Sequence, residues 1–159
     1  MKTKEAQDFL KRIKKQDTII RNKLIDREQL KDIAYGITSG GTSVLIENKG
    51  KKELHNMEKV QSSGTQSKMA NAVERWVDLD AEINSLIDSL IDLKREVNEV
   101  IERLNTEEYD VLHKVYFQYM TFDEVAATKS RSKSWCTTVH GRALANVQLI
   151  LNERKKKDG

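Results

Sequence analysis

Residues 69–104 read MANAVERWVDLDAEINSLIDSLIDLKREVNEVIERL. With Met69 as heptad position a, the a series is Met69, Trp76, Ile83, Leu90, Val97 and Leu104, and the d series is Ala72, Leu79, Leu86, Leu93 and Val100. Every one of these positions is apolar. A seven-residue repeat sustained in this way marks a helix whose seam packs against another helix. Ile87 and Ile101 widen the stripe on one side. The spacing predicts a single helix over 67–105, roughly 58 Å long at the usual rise per residue. Such a rod cannot bury its stripe alone. The carboxylates between the apolar positions form its solvated face.

The first cover available is the start of the chain, where the pattern predicts a helix from Thr3 to about Ile37. Phe9, Leu10, Ile13, Ile20 and Leu24 share one face, and Leu30, Ile33, Ala34 and Ile37 continue it on a rotated one. Residues 1–34 hold 10 basic and 6 acidic side chains, whereas 69–110 hold 4 basic and 12 acidic. Opposite charge on two helices of similar length favours an antiparallel hairpin within one chain. A homodimer built on the same seam satisfies the same physics, and the sequence does not separate the two. Proline is absent, which suits uninterrupted helices. Residues 38–66 read as a flexible or hairpin insertion: SGGTS at 39–43 is turn chemistry, Val44 to Ile46 could form a short strand, and Ser63 or Thr65 could cap the next helix.

The third segment is YMTFDEVAATKSRSKSWCTTVHGRALANVQLILNERKKK, 119–157. Before it, Asn105 and Thr106 interrupt the heptads and cap a helix with Glu107, Glu108 and Asp110 in its first turn and Tyr109, Leu112, Val115 and Tyr116 on its buried face. A second helix starts at Thr121 and buries Phe122, Val125 and Ala126. A polar turn follows, with Ser130 and Ser132 as cap candidates. A longer helix then repeats Cys136, Val139, Ala143, Val147 and Ile150 at intervals of 3 and 4, the spacing of one helix side. The expected organisation is all-α: a helical, coiled-coil hairpin over 1–104, a three-helix helix-turn-helix domain over 105–152, and a basic tail over 153–159. Residues 129–159 hold 8 basic and 2 acidic side chains, a basic end that suits an anionic partner such as nucleic acid. Arg131, Ser132, Lys133, Ser134, Thr137, Thr138 and Arg142 lie opposite the apolar face and are the candidate DNA-binding residues. Trp135 either packs across the turn or lies against a sugar-phosphate backbone.

Residues LNTEEYDVLHKVYFQYMTFDEVAATKSRSKSWCTTVHGRALANVQ resemble the C-terminal promoter-reading region of bacterial sigma factors. The likeness rests on Thr121, Phe122, Asp123, Glu124 and Val125, then on Ser132, then on Ala143 and Leu144. The chain is also similar to small phage and prophage late-gene transcriptional regulators of the ArpU and RinA type, through KTKEAQDFLKRI, KVQSSGTQSKMANAV and YDVLHKVYFQYMTFDEVA. The resemblance implies that 132–142 lie in the major groove of double-stranded DNA. It also implies RNA polymerase as a protein partner and the cytoplasm of a bacterial host as the location. A small-terminase-like packaging or structural protein is the alternative, since it too joins DNA binding to a coiled coil. Lys129, Ser130 and Arg131 stand where such turns usually carry a glycine flanked by apolar residues, so a looser or longer turn is expected. Gly141 is expected to mark close packing against the preceding helix.

No segment suggests catalysis. His55, His113 and His140 are isolated from metal-ligand partners, and Cys136 falls on an apolar helix face. The glycines at 40, 41, 50 and 64 lack the Gly-Lys-Ser/Thr of a phosphate loop. No enzyme activity, cofactor or metal is expected. No apolar run approaches the roughly 20 residues of a membrane span, the start of the chain lacks a secretory apolar stretch, and a lone cysteine fits a reducing compartment.

Overall fold

The structure is a computed structural model that describes residues 2–35 and 62–159, with the backbone alone for 62–66. Within them it is all-helical, with five helices: α1 (Lys4–Tyr35), α2 (Ser62–Ile101), α3 (Thr106–Tyr116), α4 (Phe122–Thr128) and α5 (Lys133–Asp158). The strand and turns expected over 38–61 lie outside the described residues, as do Ile37 and His55. The chain forms two compact units, one of Met1–Thr18 with Asp88–Gly159 and the other of Ile19–Ile87. Together α1 and α2 make the long helical hairpin.

In the unit of Ile19–Ile87, Ile20 and Ala34 of α1 and Ala72 and Ile83 of α2 are buried. Lys23 pairs with Glu82 at 2.9 Å, and Arg27 pairs with Asp80. Residue numbers that rise on α1 while falling on α2 fix an antiparallel register. Ten of the eleven heptad positions lie on α2, and all ten are buried or half-buried; the eleventh, Leu104, falls just past its end and is half-buried. Two flanking expectations fail. Ile33 is exposed, because Ala34, a step of about 100° further round the helix, takes the inward position. Ile87 is exposed at the edge of the seam, whereas Ile101 is buried.

Both ends of α2 differ from expectation. The helix begins at Ser62, so Ser63 and Thr65 are inside it and cannot cap it. It ends at Ile101 rather than Asn105, because Asn105 adopts extended backbone (φ −67, ψ 164) to accept the Glu108 N–H at 2.8 Å and cap α3. One residue cannot both continue one helix and cap the next.

In the other unit, α3, α4 and α5 pack around Val111, Val125, Ala126, Cys136 and Val139, with Val115, Met120, Phe122 and Trp135 closing the edges. The expected apolar face of α5 is buried along its whole length, and Leu144 joins it. Ala6, Phe9, Leu10 and Ile13 of α1 and Leu90, Leu93, Val97 and Val100 of α2 are buried in the same unit. Gln148 of α5 is buried and accepts the Ala6 N–H at 3.0 Å, satisfying an otherwise unpaired donor in the first turn of α1. It also donates to Glu5 and Asn152.

The basic tail proves helical. α5 continues to Asp158, with Glu153 bonded to Arg103 at 3.1 Å, Lys155 to Glu5 at 2.7 Å and Arg154 near Glu99 at 3.9 Å. Lys155 first, and then Gln148, hold the Glu5 carboxyl below the usual carboxylate range. Lysines in the last turn also complement the negative end of the helix dipole.

Gly141 was expected at a tight contact, but a methyl group there would meet nothing within 4 Å. It is an exposed glycine inside a helix. Gly141→Ala should therefore raise stability by about 1 kcal/mol, seen as a higher midpoint in urea denaturation; a lower midpoint would mean that the site is crowded.

Candidate nucleic-acid interface

The face proposed from the sequence is built by three local devices. Thr121 opens α4 with a reciprocal capping box: its hydroxyl accepts the Glu124 N–H at 3.2 Å, and the Glu124 carboxylate accepts the Thr121 N–H at 3.0 Å. The Thr-x-x-Glu spacing carries that signal in sequence. The end of α4 is closed by the Ser130 N–H to the Ala127 carbonyl at 3.2 Å and the Arg131 N–H to the Ala126 carbonyl at 2.9 Å. Ser130 itself is left-handed, with φ 53. This is the hydrogen-bond pattern of a Schellman closure, in which glycine is the usual occupant. Ser132 then opens α5, accepting the Trp135 N–H at 3.1 Å.

The turn is accordingly short and closed, not looser or longer. The charges that replace apolar plugs find partners. Lys129 pairs with Asp110, which also holds Lys114 at 3.0 Å. Burial pushes the Asp110 carboxyl up, but Lys129 and Lys114 together outweigh it and hold the group below its ordinary value. The Arg131 guanidinium lies 5.6 Å from the Trp135 ring centre, a cation–π distance. Trp135 is half-buried and packs on the core, so its ring forms a floor for that arginine.

Arg131, Ser132, Lys133, Ser134, Thr137 and Thr138 are all exposed and gather on the turn and the first turns of α5. The Thr137 and Thr138 hydroxyls donate back to the Lys133 and Ser134 carbonyls at 3.0 Å, which leaves their oxygens as outward acceptors. Lys133 lies 3.7 Å from Asp123, both highly exposed, a pairing worth little in water.

Arg142 stands apart. It donates to Glu108 and to Glu107, each at 2.9 Å. Glu108 is buried, and its carboxylate also accepts the Asn146 amide at 2.9 and 3.1 Å. Arg142 thus helps to neutralise a carboxylate inside the protein and fixes α5 against α3. Sequence reading missed Glu108 and Asn146, because nothing local marks a first-turn glutamate as buried.

His140 and His113 are also engaged. The Tyr116 hydroxyl and His140 Nε2 share a hydrogen bond at 2.8 Å, and the His140 ring lies 4.8 Å from that of Phe122. His113 stacks on Phe117 at 4.7 Å. Burial, aided by Lys11, holds His140 below the ordinary histidine value; burial does the same for His113, partly opposed by Asp110. Burial also pushes the Tyr116 hydroxyl up to about 12, and the Cys136 thiol upward. Among the described residues, no cluster of three or more His, Cys, Asp or Glu could hold a metal ion, and no helix is long and apolar enough to cross a membrane.

Two outcomes are expected. Ser130→Gly removes the left-handed penalty of a side chain and should stabilise the protein by about 1 kcal/mol, read as an upward shift in urea midpoint; a downward shift would show that the hydroxyl outweighs the strain. For the histidines, a depressed folded-state value means that the unfolded chain takes up protons first. Stability is therefore present above about pH 6.5 and is lost as the pH falls through the folded-state values. The melting temperature should drop between pH 7.5 and 5.5, and less so in a His113→Gln, His140→Gln variant; equal drops would clear the histidines. Comparison of the chain with protein-family models, with curated proteins and with solved structures finds no match.

Proposed function

We propose that this chain is a phage-type transcriptional regulator that binds double-stranded DNA through a C-terminal helix-turn-helix formed by α4, the turn at 129–132 and α5. The observation that carries the reading is the exposed polar and basic face of α5 where it leaves the closed turn. Arg131, Lys133 and the Ser132-capped helix start supply charge and N–H groups for phosphate, while Ser134, Thr137 and Thr138 supply short hydroxyls for base edges. The resemblance to sigma-type promoter readers supports the same orientation, with α5 in the major groove and α4 crossing the backbone. RNA polymerase is the partner that this resemblance favours, with the α1–α2 hairpin as the arm for it or for a second copy.

The engagement of Arg142 by Glu107 and Glu108 narrows the DNA-facing set to the six residues between Arg131 and Thr138. Arg142 acts through α5, by holding it in place. In this reading the protein works by binding and not by catalysis.

Selection of bound sequences from a random duplex library should yield a defined motif. On that duplex, Arg131→Glu with Lys133→Glu should weaken binding at least tenfold in fluorescence anisotropy. The wild-type affinity should also fall steeply with salt, with a logarithmic slope of about −0.9 for each phosphate contacted. No enriched motif, together with retention that is equal in the variant and insensitive to salt, would sink the reading.

A further inference from the structure

One cavity of 430 Å³ lies among α1, α3, the 119–121 connection, α4 and α5. Its walls include Lys11 and Lys14 on α1 and the aromatic rings of Tyr116, Tyr119, Phe122 and His140. Val115 and Met120 add apolar surface. No aspartate or glutamate lines it. Three other cavities among the described residues each carry carboxylates: Asp26, Asp78 and Glu82 in one, and Glu5 with Asp8 in both of the others. In a chain with 25 acidic residues, a hollow lined by two lysines and no carboxylate stands out.

The chemistry of the walls agrees with that charge. The Lys14 ammonium is 5.8 Å from the Tyr119 ring centre, and Lys11 is near enough to repel protonation of His140. Tyr119 holds left-handed backbone, φ 57, a conformation that bulky side chains rarely take. Its hydroxyl donates to Asp17 at 2.8 Å, which fixes the ring and engages the carboxylate beside this wall. Backbone strain held in place by surrounding contacts is characteristic of ligand clamps.

We propose that this cavity binds a small organic anion, a carboxylate carried on a flat apolar body, with Lys11 and Lys14 facing the charge and Tyr116, Tyr119 and Phe122 packing on the body. The volume suits one such molecule, since small-ligand pockets run from roughly 300 to 1,000 Å³. The site does not depend on the DNA reading, because its ligand is detected without DNA.

The probe is 2-naphthoate, titrated into the full chain and followed by NMR. Saturable shifts confined to Tyr116, Tyr119, Phe122, His140 and their neighbours are expected. Lys11→Gln with Lys14→Gln replaces two exposed side chains on a helix and leaves the core intact; it should weaken the probe at least tenfold. The neutral 2-naphthamide should bind at least tenfold more weakly than the acid. Shifts that never saturate or that scatter over the surface would overturn the proposal, as would equal affinity for acid and amide or an unchanged affinity in the double variant. The DNA reading would stand or fall separately, by the duplex selection.

Discussion

The apolar seam of α2 is the constraint to which the rest of the fold answers. Side chains at every a and d position along a helix of 40 residues would face water if the helix stood alone. α1 supplies the cover, with antiparallel register marked by Lys23–Glu82 and Arg27–Asp80. Burial is unbroken from Leu90 through Leu93 and Val97 to Val100, in the part of α2 that belongs to the same compact unit as α3, α4 and α5. There the start of α1 is held by more than apolar contact, since a side chain of α5 caps its backbone. Gln148 in that role links the last helix of the chain to the first, and Lys155–Glu5 repeats the link at the surface.

The second determinant is the Glu108 carboxylate. A buried carboxylate without partners is strongly unfavourable, so its contacts with Arg142 and Asn146 are conditions of the fold as well as gains from it. They lock α5 to α3, while the Ser130 closure fixes the turn that leads from α4 into α5. With two of its sides committed in this way, α5 presents the face from Lys133 to Thr138 outward. The exposed polar surface follows from where the buried charges and the left-handed turn residue are placed.

Much of this was legible in the sequence because it is set by local rules. The eleven heptad positions, the Asn105 and Ser132 caps, and the buried series from Cys136 to Ile150 all follow from spacing and cap chemistry within a few residues. The exposure of Arg131, Ser132, Lys133, Ser134, Thr137 and Thr138 followed likewise, as the face opposite that series. The misreadings were non-local or competitive. Asn105 could not serve two helices. Lys129 was read as a missing plug, yet Asp110 answers its charge. Gly141 was read as crowded, yet its surroundings are open. The lysine-rich end was read as a tail, although Glu5 on α1, Glu99 on α2 and Arg103 just past the end of α2 await it.

By itself, then, the sequence determined that the chain is helical, where most helices lie, and which face of each is apolar, since these depend on periodicities and caps spanning one or two turns. Tertiary structure alone decided which charges are spent inside the protein. Arg142 and Glu108 are 34 residues apart, and Ala6 and Gln148 are 142 apart. No local pattern encodes such pairs, because they exist only once burial of the apolar faces has brought the helices together. The same holds for the cavity that joins Lys11 and Lys14 to Tyr116 and His140: its charge and its aromatic walls come from segments that meet only in the folded chain.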